Sequence, residues 1–172
     1  MNLKTYIRSI PDYPQAGVDF KDITTLLKNK DAFRQTVDEI VKHFTDKGIT
    51  KVVCLESRGF ILGGAIAYHL NAGYVPVRKP GKLPAEVIKE SYELEYGTDT
   101  LEMHIDALDE NDVVLIHDDL LATGGTALAA LHLVEQLKVK KVYFSFISDL
   151  TFIETPNKKE LRKYDMHTLI DF

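Results

Sequence analysis

The sequence feature that most constrains the fold is the alternation of strand-like and helix-like segments. Short apolar runs, typical of buried strands, alternate with longer segments whose apolar residues recur at three- and four-residue steps, typical of helices. The predicted helices are 31–47, 59–71 and 125–137, and the predicted strands are 51–55, 74–77, 113–117, 141–147 and 167–170. Asp31 is expected to cap the first helix and Gly48 to end it, while Gly73 is expected to stop the second. This alternation predicts an α/β fold with a mostly parallel central sheet flanked by helices.

Two stretches do not follow the alternation. Residues 10–28 are irregular and contain Pro11 and Pro14, and residues 79–103 combine prolines and glycines with an alternating segment that predicts a hairpin. Long segments of this kind in a compact domain often serve as lids over a functional site. We therefore expect one domain of 172 residues, with a small N-terminal hood at about 1–30 and a flexible lid hairpin at about 80–103.

Composition excludes several classes of protein. Hydrophobic residues make up 45% of the chain and charged residues 27%, as expected of a globular domain and not of a disordered chain. The one cysteine, Cys54, excludes a disulfide scaffold and fits a reducing compartment. A net charge of −5 disfavours a nucleic-acid partner, and no run is long enough for a membrane span. With no signal-peptide pattern at the N-terminus, the expected location is the cytoplasm.

The strongest functional signal is the segment 113–126, in which an apolar strand ends in Asp118 and Asp119 and a short loop then leads into a helix. Backbone N–H groups at the start of a helix have no intrahelical partner, and the helix dipole favours an anion there. Glycines allow close backbone approach to that anion, and threonine hydroxyls add donors. The predicted phosphate-binding residues are Ala122, Thr123, Gly124, Gly125 and Thr126.

Two carboxylates beside a phosphate site would repel the phosphate, so another part of the same ligand is expected to interact with them. Sugar hydroxyls supply it, since they donate hydrogen bonds to carboxylates. The segment lacks both the Walker pattern and the Gly-x-Gly-x-x-Gly dinucleotide pattern. A phosphorylated ribose, with its phosphate in the loop and its hydroxyls on Asp118 and Asp119, is therefore the predicted ligand.

Residues 118–126, Asp-Asp-Leu-Leu-Ala-Thr-Gly-Gly-Thr, resemble the phosphoribosyl-diphosphate (PRPP) binding motif of the type I phosphoribosyltransferases, in the form found in their adenine-specific members. The resemblance implies the type I phosphoribosyltransferase fold and the conversion of adenine and PRPP into AMP and diphosphate. It also implies Mg²⁺ bound mainly through the diphosphate and ribose hydroxyls, and a homodimer. No metal-ligating side chain is assigned.

Two cationic loops follow the strands at 51–55 and 74–77. A departing diphosphate needs fixed cations to stabilise its developing charge. The loops also resemble the family's diphosphate-binding segments Ser-Arg-Gly-Phe and Arg-Lys-x-Gly-Lys-Leu-Pro. The candidate diphosphate-binding residues are Ser57, Arg58, Arg78, Lys79 and Lys82.

The resemblance extends to the two irregular stretches. The family's catalytic loop ends Leu-Glu-Tyr-Gly, which makes Glu95 the implied proton acceptor for the base and Tyr96 the residue that closes over the site. Together with Arg58 they are the candidate catalytic residues. In the hood, Phe20 is implied to stack on the purine. The backbone groups of the adenine-binding residues Asp19 and Lys21 are implied to read its edge.

Two positions and one segment depart from the family pattern: Asp19 and His117 stand where aliphatic or small residues are common, and residues 155–159 replace a usual Gly-Arg pair. Two alternatives to the adenine enzyme stay open. One is a phosphoribosyltransferase for another purine, such as xanthine or guanine. The other is a non-catalytic PRPP-sensing regulator, which would be expected to carry a DNA-binding module or a basic face.

Overall fold

The computed structural model describes residues 1–93 and 97–172. Its strands and α-helices, in chain order, are β1 (Arg8–Pro11), β2 (Asp19–Asp22), α1 (Thr24–Leu27), α2 (Lys30–Phe44), β3 (Lys51–Leu55), α3 (Gly59–His69), β4 (Gly73–Val77), β5 (Val87–Glu93), β6 (Thr98–His104), β7 (Val113–Leu121), α4 (Gly125–Gln136), β8 (Lys141–Asp149), α5 (Pro156–Leu161) and β9 (Asp165–Asp171). Short 3₁₀ turns cover Leu3–Tyr6 and Thr45–Lys47.

The centre of the fold is a five-stranded sheet in the order β4-β3-β7-β8-β9. Every neighbouring pair in it is parallel, which confirms the α/β prediction. The carboxyl ends of β3, β4 and β7 therefore meet at one edge, where ligands of such sheets bind. The loops that carry the predicted phosphate and diphosphate residues all begin at this edge.

The sheet is covered on both faces by apolar clusters. One face packs against α4 and β6, with Leu133 and Leu101 among the buried side chains. The other packs against α2 and α3, with Phe44 and Leu62 buried. Cys54 lies within this second cluster and is fully buried, so it is a packing residue of the core. No helix in the described residues is long and apolar enough to cross a membrane.

Two antiparallel hairpins stand outside the central sheet. The hairpin predicted within 79–103 is present as β5 and β6. The N-terminal stretch that looked irregular also forms a hairpin, β1 with β2, followed by the single turn α1. These strands are only four residues long, and their sequence carries prolines instead of a clear alternation, which is why the pattern did not predict them.

Helix ends differ from the predictions in two places. The first helix is capped by Asn29 and not by Asp31, because the Asn29 side chain accepts hydrogen bonds from the N–H groups of Asp31 and Ala32 at 3.1 and 3.0 Å. It is α-helical to Phe44 and then tightens into a 3₁₀ turn that ends at Gly48, with φ of 68° as expected for a glycine stop. The second helix ends at His69, and Gly73 instead begins β4.

The strand predicted at 113–117 runs on to Leu121, so Asp118 and Asp119 lie inside β7 and not in the loop after it. The extension exists because β8 also runs on, to Asp149, and the two strands stay paired as far as Leu121 and Asp149. Helix α5, which lies in the segment that departs from the family pattern, was not predicted.

Candidate active site

The predicted phosphate loop lies between the end of β7 and the start of α4. Gly124 has a φ of 82°, a left-handed conformation that favours glycine, and it offers no side chain to cap the helix. Gly125 N–H donates only a long 3.4 Å hydrogen bond to Thr123 Oγ1. Within the described residues the N-cap of α4 provides no side-chain hydrogen bond, so the N–H groups of the first turn are open to an anion.

Helix α5 supports this loop from behind. Thr155 Oγ1 donates a 2.6 Å hydrogen bond to the carbonyl of Thr123. The ammonium of Lys158, which is fully buried, donates to Asp149 Oδ1 at 2.5 Å and to the Leu150 carbonyl at 2.8 Å. A Cβ on Gly124 would lie 3.2 Å from Lys158 Cγ, so helix and loop are in direct contact. Sequence reasoning missed this support, although Thr155 followed by Pro156 is a typical helix start.

The carboxylate pair projects from the end of β7. Burial and the charge of Asp119 raise the pKa of Asp118 well above its usual value. Burial also raises the pKa of Asp119, which the nearby guanidinium of Arg58 opposes. Asp119 Oδ2 forms an ion pair with Arg58 Nε at 3.1 Å, but the contact lacks the geometry of a hydrogen bond, and no described residue donates one to this oxygen. A buried acceptor of this kind suits a ligand that brings its own donor, such as a hydroxyl.

Arg58 joins the carboxylates to the hood. It stands at the start of α3, where Gly59 allows close packing: a Cβ there would lie 2.9 Å from the His117 carbonyl. The Arg58 guanidinium carbon lies 5.1 Å from the centroid of the Phe20 ring. Tyr13 packs edge-on against the same ring, with centroids 5.4 Å apart. One arginine thus links the aromatic residue predicted to stack on the purine with Asp119, one of the two carboxylates predicted to bind ribose.

Asp19 and Lys21 flank Phe20 in β2, so their side chains lie on the opposite face of the strand. Lys21 Nζ pairs with Asp19 Oδ2 at 2.6 Å. The Asp19 carboxylate is therefore partnered within the hood.

The cationic loop after β4 is held by two glutamates that sequence reasoning did not identify. Glu56 accepts hydrogen bonds from the Arg78 guanidinium at 3.2 and 3.3 Å and from Lys79 N–H at 2.8 Å. Burial alone would raise the pKa of Glu56, but these donors hold it below its usual value. Glu102 accepts from Gly81 N–H at 3.0 Å. Arg78, which is predicted to bind diphosphate, thus forms an ion pair with Glu56.

The β5–β6 hairpin is tied to both the cationic loop and the phosphate loop. The Lys79 ammonium pairs with Asp99, which also accepts from the Tyr92 hydroxyl at 3.2 Å. The hydroxyl of Thr126 in turn donates to Tyr92 Oη at 3.4 Å. Neither Asp99 nor Tyr92 was a predicted site residue.

Two further diphosphate-binding candidates make none of these contacts. Ser57 and Lys82 are exposed at the same end of the sheet. Glu95 and Tyr96, the implied catalytic residues of the lid, lie outside the described residues.

Comparison with known proteins identifies the family. The family model for the phosphoribosyl transferase domain matches residues 21–166. The adenine phosphoribosyltransferase of Brachyspira hyodysenteriae is 52% identical over 172 residues, which cover all of both chains. The chain belongs to the adenine phosphoribosyltransferase family. Another member, from Bacteroides thetaiotaomicron, is 61% identical over 144 residues, or 84% of this chain and 82% of that protein.

Solved structures of adenine phosphoribosyltransferases share the fold. The Rhodothermus marinus structure has a TM-score of 0.91 at 50% identity and covers 99% of this chain and 96% of its own. The Giardia lamblia structure, solved with 9-deazaadenine, has a TM-score of 0.92 at 38% identity, with coverage of 99% and 96%. The predicted resemblance and the type I phosphoribosyltransferase fold are confirmed.

Proposed function

We propose that this chain transfers the 5-phosphoribosyl group of PRPP to N9 of adenine and releases AMP and diphosphate. The observation that carries the proposal is the juxtaposition of a phosphate loop, a buried carboxylate pair and a hood aromatic, the last two bridged by Arg58. The loop suits the 5′-phosphate of PRPP, the carboxylates suit its ribose hydroxyls, and the aromatic ring suits adenine. Family membership at about half sequence identity supports the same reaction.

PRPP is proposed to lie along the end of β7. Its 5′-phosphate would accept hydrogen bonds from the loop formed by Ala122, Thr123, Gly124, Gly125 and Thr126, where first-turn N–H groups are available. Its ribose hydroxyls would donate to Asp118 and Asp119. Asp119 Oδ2 supports this arrangement, because it accepts no hydrogen bond from the described residues and a ribose hydroxyl would supply one.

The diphosphate is proposed to lie against the cationic loops. Ser57, Arg58, Lys79 and Lys82 would bind it directly. Arg78 is oriented by Glu56, so we propose that it contributes mainly by shaping the loop and by its long-range charge. Lys79 is paired with Asp99, so diphosphate would have to share or displace that carboxylate.

Mg²⁺ is proposed to arrive with PRPP, bound to its diphosphate and ribose hydroxyls. In the described residues no group of three or more His, Cys, Asp or Glu side chains is placed to hold a metal alone. The carboxylates of Asp118 and Asp119 fit a site completed by substrate oxygens, since magnesium prefers oxygen ligands and commonly shares them with substrate phosphates. When bound, Mg²⁺ would neutralise charge on the leaving group.

Adenine is proposed to stack on Phe20, with backbone groups of Asp19 and Lys21 reading its edge. The bond from the anomeric carbon to the diphosphate oxygen breaks as the bond from N9 forms, and the electron pair leaves with diphosphate. Glu95 would accept the N9 proton, and Tyr96 would close over the site to exclude water. Arg58, which contacts both Phe20 and Asp119, would stabilise the negative charge that develops on the departing diphosphate.

We also propose a homodimer located in the cytoplasm. The outer face of α3 presents Ile61 and Tyr68, the latter 82% exposed, seven residues apart on one side of the helix. An apolar face of this kind is typical of an interface. The single cysteine supports a reducing compartment.

The test is a product assay with PRPP, Mg²⁺ and adenine, guanine, hypoxanthine or xanthine offered separately. We expect AMP and diphosphate in equal amounts from adenine and little nucleotide from the three oxopurines. The Asp118→Asn, Asp119→Asn double variant is the matched control and should lose turnover while remaining folded. Turnover of an oxopurine instead would contradict the assigned base, and PRPP binding without any turnover would favour a PRPP sensor.

A further inference from the structure

The ring of Phe172 is contacted by two lysines of the N-terminal region. Lys4 Nζ lies 4.7 Å from the ring centroid and Lys21 Nζ lies 4.5 Å from it. Both distances are within the range of a cation–π interaction. Lys21 is the more enclosed of the two, with a side chain only 9% exposed.

The Lys21 ammonium has a complete set of partners. It donates to Asp19 Oδ2 at 2.6 Å and to Ser9 Oγ at 2.8 Å, in addition to facing the Phe172 ring. An enclosed ammonium is costly unless all of its partners are in place. The removal of one partner is therefore expected to shift the strand that carries Lys21.

That strand also carries Phe20. In the β1–β2 hairpin, Ser9 is opposite Lys21 and Ile10 is opposite Phe20. Successive side chains of a strand point to opposite faces, so Lys21 and Phe20 lie back to back. Interactions that hold the Lys21 side chain in place therefore also hold the strand that orients the Phe20 ring.

Phe172 itself is fixed to the central sheet. Its N–H donates to the Asp149 carbonyl at 2.9 Å. Its own carbonyl accepts from Thr151 N–H at 2.9 Å and from Thr151 Oγ1 at 2.7 Å. The ring therefore connects the hood hairpin to the end of the β8–β9 pair, the same end of the sheet as the phosphate loop.

We infer that Phe172 and Lys21 form a brace that sets the position of Phe20, which makes Phe172 a positioning residue for base binding. This inference rests on the proposed function, because it requires Phe20 to lie against the base. It also assigns the Asp19 carboxylate a role as the counter-ion of the brace, on the face of β2 away from the base.

Kinetics of a Phe172→Leu variant test the brace. Leucine keeps apolar bulk but has no π face, so the KM for adenine should rise roughly threefold to tenfold, as loss of one cation–π contact predicts. The KM for PRPP and the kcat should stay within about twofold, because the substitution changes only the side chain and keeps the backbone hydrogen bonds of residue 172 to Asp149 and Thr151, next to α5. Phe172→Tyr keeps the ring face and should restore the wild-type KM for adenine.

The matched control is Phe152→Leu, the same change at a ring that is 70% exposed. It should leave both KM values unchanged. An adenine KM in Phe172→Leu equal to that of the control would overturn the brace, as would a parallel rise in the KM values of both substrates.

Amide hydrogen exchange in the ligand-free protein separates this inference from the proposed function. Residues 8–22 should exchange faster in Phe172→Leu than in Phe152→Leu, and equal exchange in the two variants would refute the brace. If the wild-type protein makes no AMP, the proposed function fails while exchange still decides whether the brace exists. If the wild type makes AMP and exchange is equal, only the brace fails.

Discussion

Gly124→Ala is the substitution that most sharply tests how the phosphate loop is built. An L-residue at φ of 82° adopts a left-handed conformation, which costs about 1–2 kcal/mol. The new Cβ would also lie 3.2 Å from Leu161 Cδ1 and 3.3 Å from the backbone nitrogen of Lys158. The leucine methyl can move, but the backbone of α5 can yield only if the helix or the loop shifts. Such crowding costs a further ~1–3 kcal/mol.

Gly48→Ala is the matched control. Gly48 has a φ of 68°, but a Cβ there would have no heavy atom within 4 Å. It therefore carries the cost of backbone strain without the crowding. For a chain of this size, each kcal/mol lowers Tm by about 2–4 °C. We expect Gly48→Ala to lose about 2–8 °C and Gly124→Ala about twice as much.

The two variants should also differ in their kinetics. A loop pushed away from α5 misdirects the N–H groups that bind the 5′-phosphate, so Gly124→Ala should raise the KM for PRPP by roughly tenfold or more. Gly48→Ala should leave it unchanged. Thermal denaturation and initial-rate kinetics provide both measurements. Equal losses of Tm, with the KM for PRPP unchanged in Gly124→Ala, would refute the reasoning.

Buried positions near the sheet give three further tests. Gly63→Ala puts a Cβ 2.1 Å from Cys54 Sγ, so we expect denaturant titrations to show a free energy of unfolding lower by about 3 kcal/mol. Adding Cys54→Ala to the same chain should restore part of that free energy, because it removes the clashing sulfur atom. If the double variant is no more stable than Gly63→Ala, the contact with Cys54 is contradicted. Asp118→Asn should abolish AMP formation yet stabilise the fold at pH 8. Burial and Asp119 raise the pKa of Asp118, so its ionisation opposes folding as pH rises above the range of an unfolded aspartate. If the stability gained by Asp118→Asn over the wild type grew as the pH was lowered, the raised pKa of Asp118 would be contradicted. Burial lowers the pKa of His117 from 6.5 to about 4, so the unfolded chain binds the proton first and stability falls as pH drops through this window, by up to about 3 kcal/mol. His117→Gln should make the free energy of unfolding depend less on pH between about 6.5 and 4, as measured by acid denaturation. An unchanged pH dependence would contradict the role given to His117.

The parallel sheet and the main parts of the site could be predicted because their signals are local. Hydrophobic periodicity identifies the strands and helices, and the strand–Asp-Asp–loop–Gly-Gly-Thr order places a phosphate and a sugar at one strand end. Parallel topology then brings Arg58 and the loop after β4 to the same edge. Each step needs only neighbouring residues and the rule that ligands bind at the carboxyl ends of such strands.

The parts that could not be predicted depend on partners far apart in the sequence. Glu56 and Glu102 look like ordinary surface acids, and their role in holding the cationic loop appears only when β3, β4 and β6 are assembled. The extension of β7 depends on pairing with β8, which no local pattern contains. The contact of Lys21 with Phe172 joins the β1–β2 hairpin to a residue about 150 positions later in the sequence.

The most direct test of the central claim is a crystal structure of the protein with AMP bound. The account predicts the phosphate within hydrogen-bonding distance of backbone N–H groups of residues 123–126, the ribose hydroxyls on Asp118 and Asp119, and the adenine ring stacked on Phe20. AMP bound with its phosphate in the cationic loop after β4, or with its base away from Phe20, would contradict the account.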